Sequence, residues 1–190
     1  MKKRIGFFGG SFDPIHFGHL NLAIQLFEIH KLDTVLFCPA YCSPFKTNAP
    51  PAAAPERRLA MLQLAIEQIP HFQISPLELD RKGPSYTIDT LRSLQSEKTT
   101  LHLLLSEDAA IHFDRWKDPE AILQLAPPLI GARRETKPPF PYPALSKGWT
   151  PTHIMDISST EIRERLKKKL YCGHLIPAKA LDYIHRHGLY

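Results

Sequence analysis

The chain has 190 residues, 43% of them hydrophobic and 23% charged, which suits one domain with a sizeable core. No apolar run approaches membrane-span length, and Met1-Lys2-Lys3-Arg4 passes straight into a strand-like run without a signal-peptide core, so a cytoplasmic protein with no membrane partner is expected. The net charge of +5 permits attraction to phosphorylated ligands or nucleic acid without choosing between them.

In chain order, Ile5 to Phe8 reads as a buried strand, and Gly9-Gly10-Ser11-Phe12-Asp13-Pro14-Ile15-His16-Phe17-Gly18-His19 as a glycine turn. Leu20 to Ile29 follows at helical spacing, then a strand at Thr34 to Ala40, so a right-handed parallel crossover is expected. Ser43 to Pro55 reads as an exposed loop, Glu56 to Ile69 as a helix and Phe72 to Ser75 as a short strand. Pro84-Ser85-Tyr86-Thr87 opens a helix carrying Ile88, Leu91 and Leu94 on one face, with Ser85 as its cap. A strand at Leu101 to Leu105, a helix at Ala121 to Ala126 and a strand at Leu129 to Ala132 come next. Glu135 to Pro151 reads as a second long loop and Thr152 to Met155 as a last strand. Helices at Thr160 to Leu170 and Pro177 to His187 complete the chain, the latter stopped by Gly188.

Alternating strands and helices without internal repeats predict a doubly wound, mostly parallel α/β sheet over 1–190, with a C-terminal helical part from about 157 packed on it. Ligands of such sheets bind beyond the carboxyl ends of the strands, so the segments after Phe8, Pro39, Leu105 and Met155 should converge on one cleft. The three cysteines, Cys38, Cys42 and Cys172, form no CxxC and are expected as reduced thiols, Cys38 in the core. Arg163, Arg165, Lys167, Lys168 and Lys169 crowd one helix as a solvated face. No aromatic residues interleave with them, so nucleic-acid stacking is not expected.

Strand, glycine turn, helix is the order a nucleotide phosphate needs: main-chain N–H groups and the positive helix end favour the anion. His16 and His19, three residues apart, share a face and can both donate to phosphate oxygens. Two solvated histidines or a zinc pair are the other readings of that spacing. Zinc would require further ligands, and none stands at recognisable spacing, so no metal set is expected. Ser158 and Glu161 form a capping-box pattern, and Ser159, Thr160 and Arg163 add donors at the same helix start. The remaining histidines, among them His112, His153, His174 and His185, read as surface or satisfied core residues.

His16-Phe17-Gly18-His19 resembles the (H/T)xGH signature of the nucleotidyltransferase superfamily, and Ile157-Ser158-Ser159-Thr160-Glu161-Ile162-Arg163 its ISSTxxR motif. The fuller glycine string, Tyr86-Thr87 and Phe113-Asp114-Arg115-Trp116 resemble the bacterial nicotinate-nucleotide adenylyltransferase branch, a likeness that runs from Gly9 to Tyr190. The resemblance implies a Rossmann-like fold and AMP transfer from magnesium-bound ATP to nicotinate mononucleotide, with release of pyrophosphate. It implies ATP contacts at Gly9, Gly10, Ser11, Phe12, His16, His19, Ser106, Asp108, Ile157, Ser158, Ser159, Thr160 and Arg163. Contacts to the mononucleotide are implied at Lys46, Tyr86, Thr87, Asp108, Trp116 and Arg133, and catalysis at His16, His19, Lys46 and Arg163. Two departures stand out: Ser106 replaces the glycine of a Gly-x-Asp pattern, and Phe45 the histidine of a Pro-His-Lys setting. Another phosphate acceptor (nicotinamide mononucleotide or phosphopantetheine), an inactive nucleotide-binding module, and homo-oligomerisation stay open at this point.

Overall fold

The computed structural model describes residues 2–46, 50–132, 137–153 and 155–190, the side chain of Lys46 excepted. β1 (Lys3–Gly10), α1 (Phe17–Ile29), β2 (Thr34–Pro39), α2 (Pro55–Ile66) and β3 (Phe72–Ile74) build the first half. Two short helices, α3 (Leu77–Arg81) and α4 (Thr87–Leu94), lead into β4 (Thr99–Ser106), α5 (Glu107–Ile111), α6 (Pro119–Leu125) and β5 (Pro128–Ala132). The chain ends with α7 (Pro143–Gly148), β6 (Trp149–Pro151), α8 (Ser159–Lys167) and α9 (Ala178–Arg186). The six strands form one parallel sheet in the order β3-β2-β1-β4-β5-β6, as the doubly wound reading requires. The order reverses between β1 and β4, which places a ligand crevice beyond Gly10 and Ser106.

Strand periodicity sends neighbouring side chains into different cores. Phe8 and Leu104 join Met61, Leu62, Ile162 and Ile184 on the face covered by α1, α2, α8 and α9. Phe7, Leu103 and Leu105 join Ile88, Leu91 and Ile122 on the face covered by α4 and α6. Burying each such side chain contributes roughly 1.5–3 kcal/mol, so β1 and β4 are the mechanical centre of the protein and the crevice sits at their ends. Among the described residues no helix is long and apolar enough to cross a membrane. Cys38 is fully buried in the second core, as expected; burial, then the nearby Glu78 charge, pushes its thiol up to about 12.

Several local expectations shift. α1 starts three residues earlier than the apolar pattern indicates, because the His16 imidazole caps it. Ser85 does not cap α4: Tyr86 holds the cap position, and the Ser85 hydroxyl accepts the Tyr41 N–H at 3.0 Å. The expected loop at 135–151 contains α7 and β6, and Thr152 and His153, where the last strand is expected to begin, form none. Side chains replace the sheet ladder there: Thr152 Oγ1 donates to Ala132 O, while Asn21 and Gln25 of α1 hold the main chain of His153.

Candidate active site

The chain leaves β1 and turns over its own aromatic residues. Phe12 takes a left-handed φ of 47° and packs against Phe8 and Phe37, 2% exposed, so its ring is a wall beneath the turn. The glycine of His-Phe-Gly-His has a local cause: a Cβ at Gly18 would lie 3.0 Å from His16 Nδ1 and 3.2 Å from Met155 O. Only a bare main chain lets His16 fold back over the helix start.

The two histidines cap each other. The His19 N–H donates to His16 Nδ1 at 3.4 Å, the His16 N–H donates to His19 Nδ1 at 3.3 Å, and the rings stack with centroids 3.6 Å apart. An Nδ1 that accepts a main-chain proton leaves the ring's own proton on Nε2, so both imidazoles are set as Nε2–H donors. Burial, then the facing His16 ring, pushes the His19 imidazole well below its ordinary range, and His19 is neutral at pH 7. The unfolded chain protonates this ring near pH 6.5 while the folded chain does not, so stability is lost as pH falls through that value toward the folded one. Accordingly, the stability gap between the wild type and His19→Gln, read from urea midpoints, is expected to narrow from pH 7.5 to 5.5. A gap that widens contradicts the lowered imidazole.

Two cavities meet over Gly9, Gly10, Leu104 and Leu105, with Trp116 lining both. One, of about 280 Å³, takes His16, His19, Ser106, His153, Met155 and Ile157 into its wall. Ser106 caps α5 by accepting the Ala109 N–H at 3.4 Å, so the residue in the glycine position anchors the helix beside the cavity. The other, of about 580 Å³, is lined by Ser11, Phe45, Tyr86 and Thr87, by the basic residues Arg115 and Lys117, and by Glu78. Glu78 is 4% exposed and accepts from Thr90 Oγ1 at 2.7 Å; burial raises its carboxyl against that bond and one from Ser85. Lys117 Nζ stands 4.6 Å from the Tyr86 ring centroid and 3.1 Å from Asp89 Oδ2.

The start of α8 is tied to the glycine turn. Ser158 caps by accepting the Glu161 N–H at 3.1 Å, the Ser159 hydroxyl donates to Pro14 O at 2.9 Å, and Arg163 donates to Asp13 O at 2.7 Å and to Thr160 Oγ1 at 3.2 Å. Asp13 itself is 4% exposed; its carboxylate accepts from the Ala52 and Ala53 N–H groups and the Tyr190 hydroxyl. Segments 150 residues apart in sequence therefore meet at one aspartate-proline step. In this state Ile157 lines the cavity, while the hydroxyls of Ser158 and Ser159 and the Arg163 fork are engaged beside it.

Asp108 departs from expectation: it is exposed on the first turn of α5 and lines neither cavity. Arg133 and the side chain of Lys46 lie outside the described residues. Sequence reasoning missed Arg58, which is fully buried, and whose guanidinium donates to Ser11 O, Ala40 O, Tyr41 O and Ala53 O. An arginine at a helical apolar position was the available signal. Among the described residues no group of three or more His, Cys, Asp or Glu comes together to hold a metal ion.

Residues 7–165 match the family model described as Cytidylyltransferase-like. A probable nicotinate-nucleotide adenylyltransferase of Thermus thermophilus is 41% identical over 191 residues, covering 98% of this chain and 99% of that protein. One from Opitutus terrae is 37% identical over 195 residues, covering 98% and 97%. The solved structure of a Plasmodium falciparum nicotinic acid mononucleotide adenylyltransferase superposes with a TM-score of 0.80 at 20% identity, over 99% of this chain and 97% of that one, and shares the fold. With full-length matches at this identity and a paired-histidine turn at the switch point of the same sheet, the chain belongs to the nicotinate-nucleotide adenylyltransferases of the Cytidylyltransferase-like family.

Proposed function

We propose that the chain transfers the adenylyl group of magnesium-bound ATP to the 5′-phosphate of nicotinate mononucleotide, forming nicotinate adenine dinucleotide and pyrophosphate in the cytoplasm. The observation that carries this reading is the pair of cavities meeting over Gly9 and Gly10, beside the stacked His16 and His19. Two bound phosphates brought together over that glycine floor are placed for in-line displacement. The mononucleotide phosphate is ionised near neutral pH, so the nucleophile needs no general base. Catalysis then rests on holding the reactants and on donors aimed at the charge that develops at the α-phosphorus. The Nε2–H groups of His16 and His19 supply those donors. Arg163 and Lys46 add positive charge, Arg163 by turning from Asp13 O toward the triphosphate as α8 closes.

The larger cavity takes the mononucleotide, its pyridine ring against Trp116 and its carboxylate toward Thr87. Lys46 and Arg133 belong to the acceptor's phosphate, and Asp108 to ribose hydroxyls once α5 adjusts. Magnesium enters as part of the ATP substrate, ligated by phosphate oxygens and water.

The test is incubation with magnesium and ATP plus nicotinate mononucleotide, nicotinamide mononucleotide or phosphopantetheine, following pyrophosphate. Release is expected with nicotinate mononucleotide, with the dinucleotide identified by mass. Release with phosphopantetheine alone, or with no acceptor, overturns the reading.

A further inference from the structure

Among the described residues Phe45 is one of the few large apolar side chains left exposed, at 56%, and it lines the larger cavity. An exposed phenyl ring at a cavity wall has apolar area that a bound ligand can bury. Its neighbour is Trp116, at 6.3 Å between centroids and 43° between planes, and both rings line the cavity. The two differ in support. Trp116 packs against the fully buried Phe113, 5.1 Å between centroids. Phe45 sits in the short turn Pro44–Lys46, where its N–H donates to Ser43 Oγ at 3.4 Å. A flat ring sandwiched between two others needs roughly 7–8 Å between the outer pair, two contact distances of about 3.5–4.0 Å. The observed gap falls short of that by about an ångström or slightly more, within the reach of a surface side chain turning about its own bonds.

We infer that Phe45 is a specificity-determining residue of this chain: it swings aside to admit the acceptor's heteroaromatic ring and packs on the ring's exposed face, completing with Trp116 an aromatic clamp. The inference rests on the reading of the larger cavity as the acceptor site. It assigns affinity for the ring to a position that presents a histidine in the motif this chain otherwise resembles, and it leaves the ATP cavity, which Phe45 does not line, unaffected. Aromatic pairing adds to the area buried, so losing one face of the clamp should weaken ring binding about tenfold.

Steady-state kinetics of Phe45→Ala, Phe45→Tyr and Phe45→Trp, with calorimetric titration of nicotinate mononucleotide onto each, test the clamp. Phe45→Ala is expected to raise KM and Kd for the mononucleotide about tenfold, with kcat and the ATP KM within about twofold of wild type. Both aromatic replacements are expected to restore binding. A fall in kcat instead would trace the damage to the adjacent Lys46 and overturn the clamp, as would a mononucleotide Kd unchanged in Phe45→Ala. Failure of the functional reading is separate and is seen in the wild type alone, as binding of the mononucleotide without dinucleotide formation. The Kd comparison judges the clamp in that case too, and a wild type that does not bind the mononucleotide overturns both.

Discussion

Replacing His16 with alanine is expected to lower kcat by about 10²–10³, the usual loss of one preorganised donor to a developing oxyanion, with the KM for nicotinate mononucleotide within about twofold. The geometry supplies the reason. His16 is 5% exposed, caps α1 with Nδ1 and stacks on His19, so its Nε2–H has essentially one orientation and needs no reorganisation as charge builds. The same substitution removes a helix cap, costing about 1 kcal/mol of stability, and the two effects must be told apart. His16→Asn does so: asparagine restores a cap acceptor but cannot place a donor where Nε2 stood. Unfolding midpoints should therefore recover in His16→Asn while turnover stays low. Near-normal turnover in either variant contradicts the role.

The largest effect on folding is expected at Arg58. Four main-chain carbonyls from three segments converge on this fully buried guanidinium: Ser11 in the glycine turn, Ala40 and Tyr41 after β2, and Ala53 before α2. Arg58→Met keeps most of the volume but leaves those oxygens without their donor, and should cost about 3–5 kcal/mol. Arg58→Lys retains the charge but loses the planar fork that reaches several segments at once, so it should recover only part. Urea unfolding measures both. A loss below about 1 kcal/mol in Arg58→Met, the scale of a surface pair, would show that water or a shifted turn replaces the arginine.

Much of this architecture could be read before any coordinates. Strand, glycine turn and helix at 5–29 follow from apolar spacing and from residues whose conformational needs are local, and the doubly wound sheet follows from the alternation of elements. The paired histidines were legible because their spacing and the helix start are both local. What was not legible depends on distant partners. The Ser85 hydroxyl is a cap by local chemistry, but Tyr41, 44 residues away in sequence, claims it. Thr152 to Met155 carries a strand-like sequence pattern, yet side chains from α1 take the main-chain groups of His153, and β6 forms earlier, at Trp149–Pro151. Five-residue α3 is too short for a periodic signal, although it delivers buried Glu78 to the wall of the larger cavity. Asp108 fits a sequence pattern but is exposed and lines neither cavity.

The central claim is that the acceptor phosphate attacks the α-phosphorus of ATP directly over Gly9 and Gly10. The measurement that tests it most directly is the stereochemical course at the α-phosphorus, followed with one diastereomer of the α-phosphorothioate of ATP and nicotinate mononucleotide. Direct attack predicts inversion of configuration in the phosphorothioate dinucleotide. Retention, the outcome of two successive displacements through an adenylyl-enzyme, would contradict it.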